Sequence, residues 1–392
     1  MISFGNQTVC ELCFSPVSRD YPICSCCDSI SNLNKYRTAL KEGTVLVGRY
    51  LIGRVLGKGG FGTTYLCYDL KDNCKVAIKE YFPDTFAYRD GSASTHVAVK
   101  SESYNEKYRL GEKKFFQEAT TVSKFSNHPN IVHVSNYFRE NNTAYYVMEY
   151  LDGMDLKGYV RMRGGKISEN EAIGIIMQVL EALDTVHKNK ILHRDISPDN
   201  IFICKQGGIK LIDFGAAREF VEDSSSGMSV ILKKGFAPFE QYRRDGNQGP
   251  WSDIYALGGT LYYIISGNVP PDAVTRASED TLSLEGFSRT TALLLKGMLA
   301  VSVSKRFKSV SEVKHAVYNL DSSYSASLTS TSAEAIKKSS AFKLDKFIGL
   351  FKKDFKSIGN VTDQNDLIRI LLMIILICGA IVSGGLILLA LL

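Results

Sequence analysis

The stretch His193-Arg194-Asp195-Ile196-Ser197-Pro198-Asp199-Asn200, followed by Asp213-Phe214-Gly215, decides how this chain is read. Asp195 supplies a carboxylate suited to orient an attacking hydroxyl. Asn200, five positions later, and Asp213 supply oxygen donors suited to a divalent cation. Phosphoryl transfer needs this set, because it depends on positioning and charge neutralisation more than on covalent chemistry. Asp195 is therefore the expected base, and Asn200 and Asp213 the expected ligands of Mg²⁺ or Mn²⁺. A hairpin with polar turn residues is the bland alternative, and the coincidence of all three elements argues against it.

Upstream, three β-rich runs are expected at Tyr50 to Leu56, Thr63 to Asp69 and Lys75 to Lys79. The first two are joined by Gly57-Lys58-Gly59-Gly60-Phe61-Gly62. A G-x-G-x-x-G pattern alone also fits a dinucleotide fold, but there it would open a helix, and Thr63-Thr64-Tyr65-Leu66 reads as a strand. Val76-Ala77-Ile78-Lys79 follows at a suitable distance, and its lysine is the candidate that grips phosphates. A helix is expected from Phe115 to about Phe125, with Glu118 as the ion-pair partner of Lys79. Tyr81 to Gly111 reads as an insertion. Strands at Ile131 to Phe138 and Ala144 to Glu149 then complete a small antiparallel sheet, and Glu149 to Gly153 forms a hinge.

Beyond the hinge the helical period dominates. Ser168-x-x-Glu171 is a capping box, with Ile173, Ile176, Leu180 and Leu183 on one expected face. Trp251-Ser252-Asp253 leads into the apolar run Ile254 to Ile265, suited to a buried helix, and Ser309-x-x-Glu312 caps a last helix to about Leu320.

The two ends differ from this middle. Cys10-x2-Cys13 and Cys24-x2-Cys27 are two knuckles that can converge four thiolates on one Zn²⁺, and residues 1–35 read as a small zinc ribbon. Too few apolar residues surround them for a core, so a metal would supply the folding energy. Disulfides compete with this reading, and Cys26 leaves the choice of ligands among Cys24, Cys26 and Cys27 open. At the other end, Ile370 to Leu392 is 23 residues without a charge, against about 20 needed to span a bilayer. A transmembrane helix is expected over 367–392.

Residues 321–366 read as a Ser/Thr- and Lys-rich juxtamembrane linker, since ten of residues 321–340 are Ser or Thr. Seven Lys against two Asp in residues 337–356 account for most of the chain's net charge of +6, so the charge points to a cytoplasmic juxtamembrane face and not to nucleic acid. No charged n-region followed by an apolar h-region opens the sequence, which favours a cytoplasmic start and a single-pass cell-membrane protein. Small residues at Gly379, Ala380, Ser383 and Gly384 would let two spans pack as a homodimer. With 392 residues, 45% of them hydrophobic, the chain is long enough for two or three domains and is not expected to be generally disordered.

Taken in order, these motifs resemble the eukaryotic-like protein kinases, specifically the bacterial Ser/Thr kinases tethered by a C-terminal span. The resemblance covers roughly Tyr50 to Leu320, and includes Gly235-Phe236-Ala237-Pro238-Phe239-Glu240, Asp253 and Lys305-Arg306. It implies an α+β, bilobal catalytic domain over 50–320, with an antiparallel-sheet N-lobe, a helical C-lobe and ATP between them. It implies nucleotide contacts from Leu56, Gly57, Lys58, Gly59, Gly60, Phe61, Gly62 and Lys79, and backbone hydrogen bonds to adenine from Glu149 and Leu151. Protein substrates and a Glu240–Arg306 pair are implied too.

The chain departs from the family pattern at Ser197, where such kinases carry a lysine that contacts the γ-phosphate. One transition-state charge is therefore missing or supplied from elsewhere. Ala-Pro-Phe-Glu replaces the usual Ala-Pro-Glu. Ser224, Ser225, Ser226 and Ser229 are candidates for activating phosphorylation. A nucleotide-binding scaffold that transfers nothing stays open beside the active enzyme, as does a kinase of small molecules.

Overall fold

Alternating apolar residues on neighbouring runs build a six-stranded antiparallel sheet from β3 (Val45–Leu46), β4 (Tyr50–Gly59), β5 (Gly62–Asp69), β6 (Cys74–Tyr81), β9 (Val134–Glu140) and β10 (Thr143–Glu149), in the order β3-β4-β5-β6-β10-β9. A short antiparallel hairpin of β1 (Ile2–Phe4) and β2 (Gln7–Val9) lies ahead of it in the chain. The computed structural model describes residues 2–4, 7–16, 24, 27, 38–90, 94–214, 232–243 and 245–319. The expected linker at 321–366, the expected span at 367–392 and the four loop serines lie outside the described residues. Among the described residues, no helix is long and apolar enough to cross a membrane.

Period-two alternation sorts the sheet's two faces. Ile52, Tyr65, Cys67, Val76, Ile78, Tyr145 and Val147 point to one side and form a buried cluster with Leu40, Leu46 and Tyr50. Thr64, Ala77, Lys79 and Met148 fall on the other side, which faces the cleft. Register irregularities between Ile52 and Gly57 bend β4 before the turn that joins it to β5.

The segment read as an insertion has two parts. A hairpin of β7 (Ala87–Arg89) and β8 (Val97–Val99) comes first, and the remainder is helix. Arg89 of β7 is clamped to the sheet: its guanidinium bonds the carboxylate of Glu80, which is fully buried and also accepts the hydroxyls of Tyr65 at 2.7 Å and Tyr145 at 2.8 Å. Helix α1 spans Asn105–Val122, beginning ten residues before the expected Phe115. Its first turns are polar and contain Gly111, the last residue of the segment read as an insertion. Packing demands that glycine, because a Cβ there would stand 2.1 Å from the Tyr81 hydroxyl.

β10 leads through the hinge to β11 (Gly153–Asp155) and α2 (Leu156–Met162), which Asp155 caps by accepting from Gly158 N at 2.7 Å. Helix α3 (Glu169–Lys188) is capped by Ser168, as the capping box predicts. Its buried stripe is Ala172, Ile175, Ile176, Val179, Leu180 and Leu183, with the expected Ile173 only half-buried. β12 (Ile201–Cys204) and β13 (Ile209–Leu211) form a three-stranded sheet with β11 beneath the cleft. Against α3 packs α4 (Pro250–Ser266), apolar on most sides and therefore buried. α5 (Ala273–Ser278), α6 (Arg289–Met298) and α7 (residues 310–319) complete this helical half.

The Glu240–Arg306 pair lies within it at 2.7 Å, with both side chains buried. Ser252 Oγ donates to the same carboxylate at 2.8 Å. Removing Glu240 would strand a buried guanidinium, so Glu240→Ala should cost about 3–5 kcal/mol in unfolding free energy, measured by chemical denaturation. A loss below about 1 kcal/mol would show that the pair is structurally idle.

Candidate active site

Between the cleft face of the sheet and the β12–β13 layer lies a cavity of about 860 Å³, within the range of small-molecule sites. Its lining gathers every motif residue placed in one centre from the sequence: Leu56, Gly57, Lys58, Gly59, Gly60, Phe61, Gly62, Lys79, Glu118, Glu149, Leu151, Asp195, Asn200 and Asp213. Ala77 and Asp199, from within the quoted motifs, line it too, as do Thr64, Met148, Phe202 and Lys233, which carry no motif signal of their own.

The roof is the β4–β5 turn. Nothing stands within 4 Å of where a Cβ would sit on Gly57, Gly59 or Gly60, so ligand oxygens can reach the backbone N–H groups there. Lys58 pairs with Asp84 at 2.8 Å and donates to Thr38 Oγ1 at 2.9 Å.

Lys79 reaches down from β6 and pairs with Asp213 Oδ1 at 2.6 Å. The expected partner, Glu118 of α1, is 3% exposed and lines the same cavity. Burial opposes the Lys79 charge, but Asp213 foremost, with Glu118 adding to it, raises its pKa well above the ordinary lysine value. Burial likewise works against ionised Asp213, and Lys79 overcomes it to hold that pKa below the usual aspartate value. The two charges stabilise each other across the cleft. Asp213 sits at φ 53°, a left-handed conformation costly for a side-chain-bearing residue and one that clusters at functional sites.

The floor is the loop 193–200. Asn200 Nδ2 donates to the Asp195 carbonyl at 2.8 Å and to Asp195 Oδ2 at 2.7 Å. Both bonds use the amide nitrogen, so its oxygen is the atom that can ligate a cation. The Asp213 carboxylate and the Asn200 amide oxygen, both lining the cavity, are hard donors of the kind that suits Mg²⁺ or Mn²⁺.

His193 anchors this loop from below. It is fully buried, its ring lies 4.5 Å from that of Phe214, its Nδ1 accepts from Asp195 N at 3.2 Å, and its Nε2 faces the Ile212 carbonyl at 3.2 Å. Burial depresses its pKa to about 4.

A second cluster lies apart from the cavity. The Sγ atoms of Cys10, Cys13, Cys24 and Cys27 all lie within 4.8 Å of one another, with Cys10 to Cys27 and Cys13 to Cys24 each at 3.5 Å. Those separations far exceed a disulfide bond of about 2.05 Å. They match the edge of about 3.8 Å that four sulfurs make around a tetrahedral ion with Zn–S near 2.3 Å. Cys26 lies outside the described residues. The expectation that this segment lacks a core needs correction, because it borrows one: Val9, Cys10, Cys13, Phe14 and Cys24 pack with Leu51 and Leu66 of the sheet, and Tyr68 and the hinge residue Tyr150 lean on the cluster. Leu12 O accepts Arg54 N at 2.9 Å, and Phe14 lies so close to Gly53 that a Cβ there would stand 2.7 Å from its ring.

Because the His193 pKa is lower folded than unfolded, its contribution is fully present above about pH 6.5 and is lost as pH falls toward 4. The associated loss is about 3 kcal/mol. Thermal melts should therefore decline over that window. His193→Phe should be less stable throughout but flatter with pH, and parallel profiles would refute the assignment.

A family model described as a protein kinase domain matches residues 50–319. Serine/threonine-protein kinase PrkC of Bacillus subtilis is 34% identical over 236 residues, covering 60% of this chain and 33% of that protein. Serine/threonine-protein kinase B of Synechocystis is 30% identical over 288 residues, covering 69% of this chain and 46% of that protein. The chain thus spans about a third to a half of the length of these curated relatives. The solved apo form of PpkA-294 is 33% identical with a TM-score of 0.65, covering 71% of this chain and 99% of that one. The PknI kinase domain of Mycobacterium tuberculosis, at 22% identity and a TM-score of 0.51 over 72% of this chain and all of its own, shares the fold.

Proposed function

We propose that this chain, which belongs to the protein kinase domain family, transfers the γ-phosphoryl group of ATP to serine or threonine hydroxyls of proteins. The observation that carries this reading is the convergence of Lys79, Asp195, Asn200 and Asp213 in one cavity beneath an open glycine turn. The serine/threonine kinase names of the relatives support the choice of acceptor.

Each residue's part follows from its position. Leu56, Ala77 and Met148 offer apolar walls for a flat base. The Glu149 carbonyl is the group offered to adenine, since Glu149 N already donates to His133 O at 2.9 Å and its carboxylate pairs with Lys210 at 2.7 Å. Backbone N–H groups of the glycine turn and the Lys79 ammonium bind phosphate oxygens. Asn200 and Asp213 would hold the divalent cation, which when bound neutralises charge on the phosphates. Asp195, its Oδ2 fixed by Asn200, orients the substrate hydroxyl and accepts its hydrogen.

Asp195→Asn keeps the shape and removes the base. Phosphate transfer to a generic protein substrate should fall at least about 100-fold while ATP binding persists. Transfer at the wild-type rate would overturn the assigned base. A wild-type protein that binds ATP and transfers nothing would establish the scaffold reading instead.

Cys10, Cys13, Cys24 and Cys27 are assigned one structural zinc ion, supported by their tetrahedral spacing. Burial raises the Cys13 and Cys27 thiol pKa values, and a divalent ion would supply the charge that thiolates there require. Metal analysis of reduced protein should find about one zinc per chain. Chelation should lower the melting temperature, and a zinc content near zero in active protein would reject the assignment. The uncharged segment at 370–392 and the lysines before it support a single-pass cell-membrane tether with the catalytic domain on the cytoplasmic side.

A further inference from the structure

The cavity holds a lysine outside every motif that pointed to the site. Lys233 Nζ donates to Ser197 Oγ at 2.6 Å and stands 3.5 Å from Asp195 Oδ1 and 3.7 Å from Asp199 Oδ2. It comes from the segment just before Gly235-Phe236-Ala237-Pro238, 36 positions after Ser197 in the chain. Its backbone is fixed, since its carbonyl accepts from both Phe236 N and Ala237 N at 3.0 Å. Ser197 is fully buried and holds the ammonium from below.

Charge explains why a cation belongs there. Asp195, Asp199 and Asp213 already gather negative charge in the cavity, and a triphosphate adds more. Lys79 divides its charge between Asp213, at 2.6 Å, and the phosphates it binds. An ammonium has three hydrogens, and Ser197 takes one at short range. The longer separations from the two carboxylates leave donor capacity for an oxygen placed beside Asp195, where the acceptor hydroxyl and the transferring group must meet.

We propose that Lys233 is a catalytic residue, supplying to the transferring phosphoryl group the positive charge that Ser197 cannot. This rests on the phosphotransferase reading above. In the step, the substrate hydroxyl oxygen forms a bond to the γ-phosphorus. The bond from that phosphorus to the β–γ bridging oxygen breaks, ADP leaves with its electron pair, and the hydroxyl proton passes to Asp195. Lys233 exchanges no proton; it stabilises negative charge on the γ-phosphoryl oxygens. Ser197 is a positioning residue that aims the ammonium.

The test uses the full chain in detergent, with ATP and dephosphorylated casein as substrates and a fluorescent ATP analogue for binding. Lys233→Met should lower kcat by about 100- to 1,000-fold, the usual loss for one transition-state donor, and leave KM for ATP within about threefold. Lys233→Arg should retain part of the rate. Lys234→Met, which alters the exposed neighbour, should behave as wild type. The deciding variant is S197K in the K233M background: a lysine returned at position 197 should recover at least about tenfold in kcat. Lys233 would be merely structural, and the proposal overturned, if K233M kept wild-type kcat with a lowered melting temperature. A folded double variant that recovered nothing would overturn it equally. A wild-type protein without any transfer would overturn the kinase reading itself, and this assignment with it.

Discussion

The Asp253 carboxylate is the constraint on which the site depends. It is 1% exposed at the N-terminal turn of α4, where the helix dipole favours a negative charge. Oδ2 accepts from His193 N at 2.9 Å and lies 2.8 Å from His187 Nε2, while Oδ1 accepts from Arg194 N at 2.8 Å. Burial works against its ionisation, and the bond from His187 foremost holds its pKa below the usual aspartate value. Arg194 meanwhile sits at φ 66°, a conformation costly for a residue with a side chain. The carboxylate offsets that strain, and the strained turn aims Asp195 upward into the cleft. Asn200 then closes the loop on Asp195 from the other side. A helix buried in the lower half thus fixes the geometry of the reacting centre.

The sheet carries the complementary load. One face of it packs a core and the other forms the roof of the cavity, so a shift in β4 is felt at the glycine turn. The cysteine cluster leans on that strand through Leu51, the Leu12–Arg54 bond and the contact of Phe14 with Gly53, and on the hinge through Tyr150. The cysteine cluster therefore braces the strand and the hinge that border the cavity. This coupling has a physical basis in small domains, which rarely bury enough apolar surface to fold alone and gain stability from a metal, a partner surface, or both.

The parts of the site legible in the sequence are those whose chemistry is local. Asp195 and Asn200 lie on one loop and Asp213 follows a short hairpin, so spacing alone predicts their convergence. The register of Lys79 follows from strand alternation in Val76-Ala77-Ile78-Lys79. What escapes the sequence is set by tertiary contact. The start of helix α1 is hidden because its first turns are polar and contain a glycine, and only the Tyr81 hydroxyl shows why that glycine is required. The 87–99 hairpin is featureless as sequence, and its purpose emerges only where Arg89 bonds buried Glu80. The apolar residues near the cysteines look too few because their partners, Leu51 and Leu66, lie far along the chain. Lys233 leaves a trace in the sequence, a serine where a lysine is expected, but no spacing rule says which distant lysine fills such a gap.

The exchange of a lysine at 197 for one at 233 changes how that charge is supported. A cation at 197 would ride on the same loop as Asp195, and holding that loop would place both. A cation at 233 must be brought into register with Asp195 by contacts between two segments. The structure shows them: Gln241 Nε2 donates to the Arg194 carbonyl at 3.1 Å, and Lys233 itself donates to Ser197. Gln241 is adjacent to Glu240, which Arg306 and Ser252 hold in the helical half. Ser252 in turn precedes Asp253. The carboxylate that orients the Asp195 loop and the serine that anchors the lysine-bearing segment are thus neighbours at the start of one helix. The ammonium and the carboxylate are positioned from a common rigid origin, so a buried serine at 197 can serve where the family pattern places a charge.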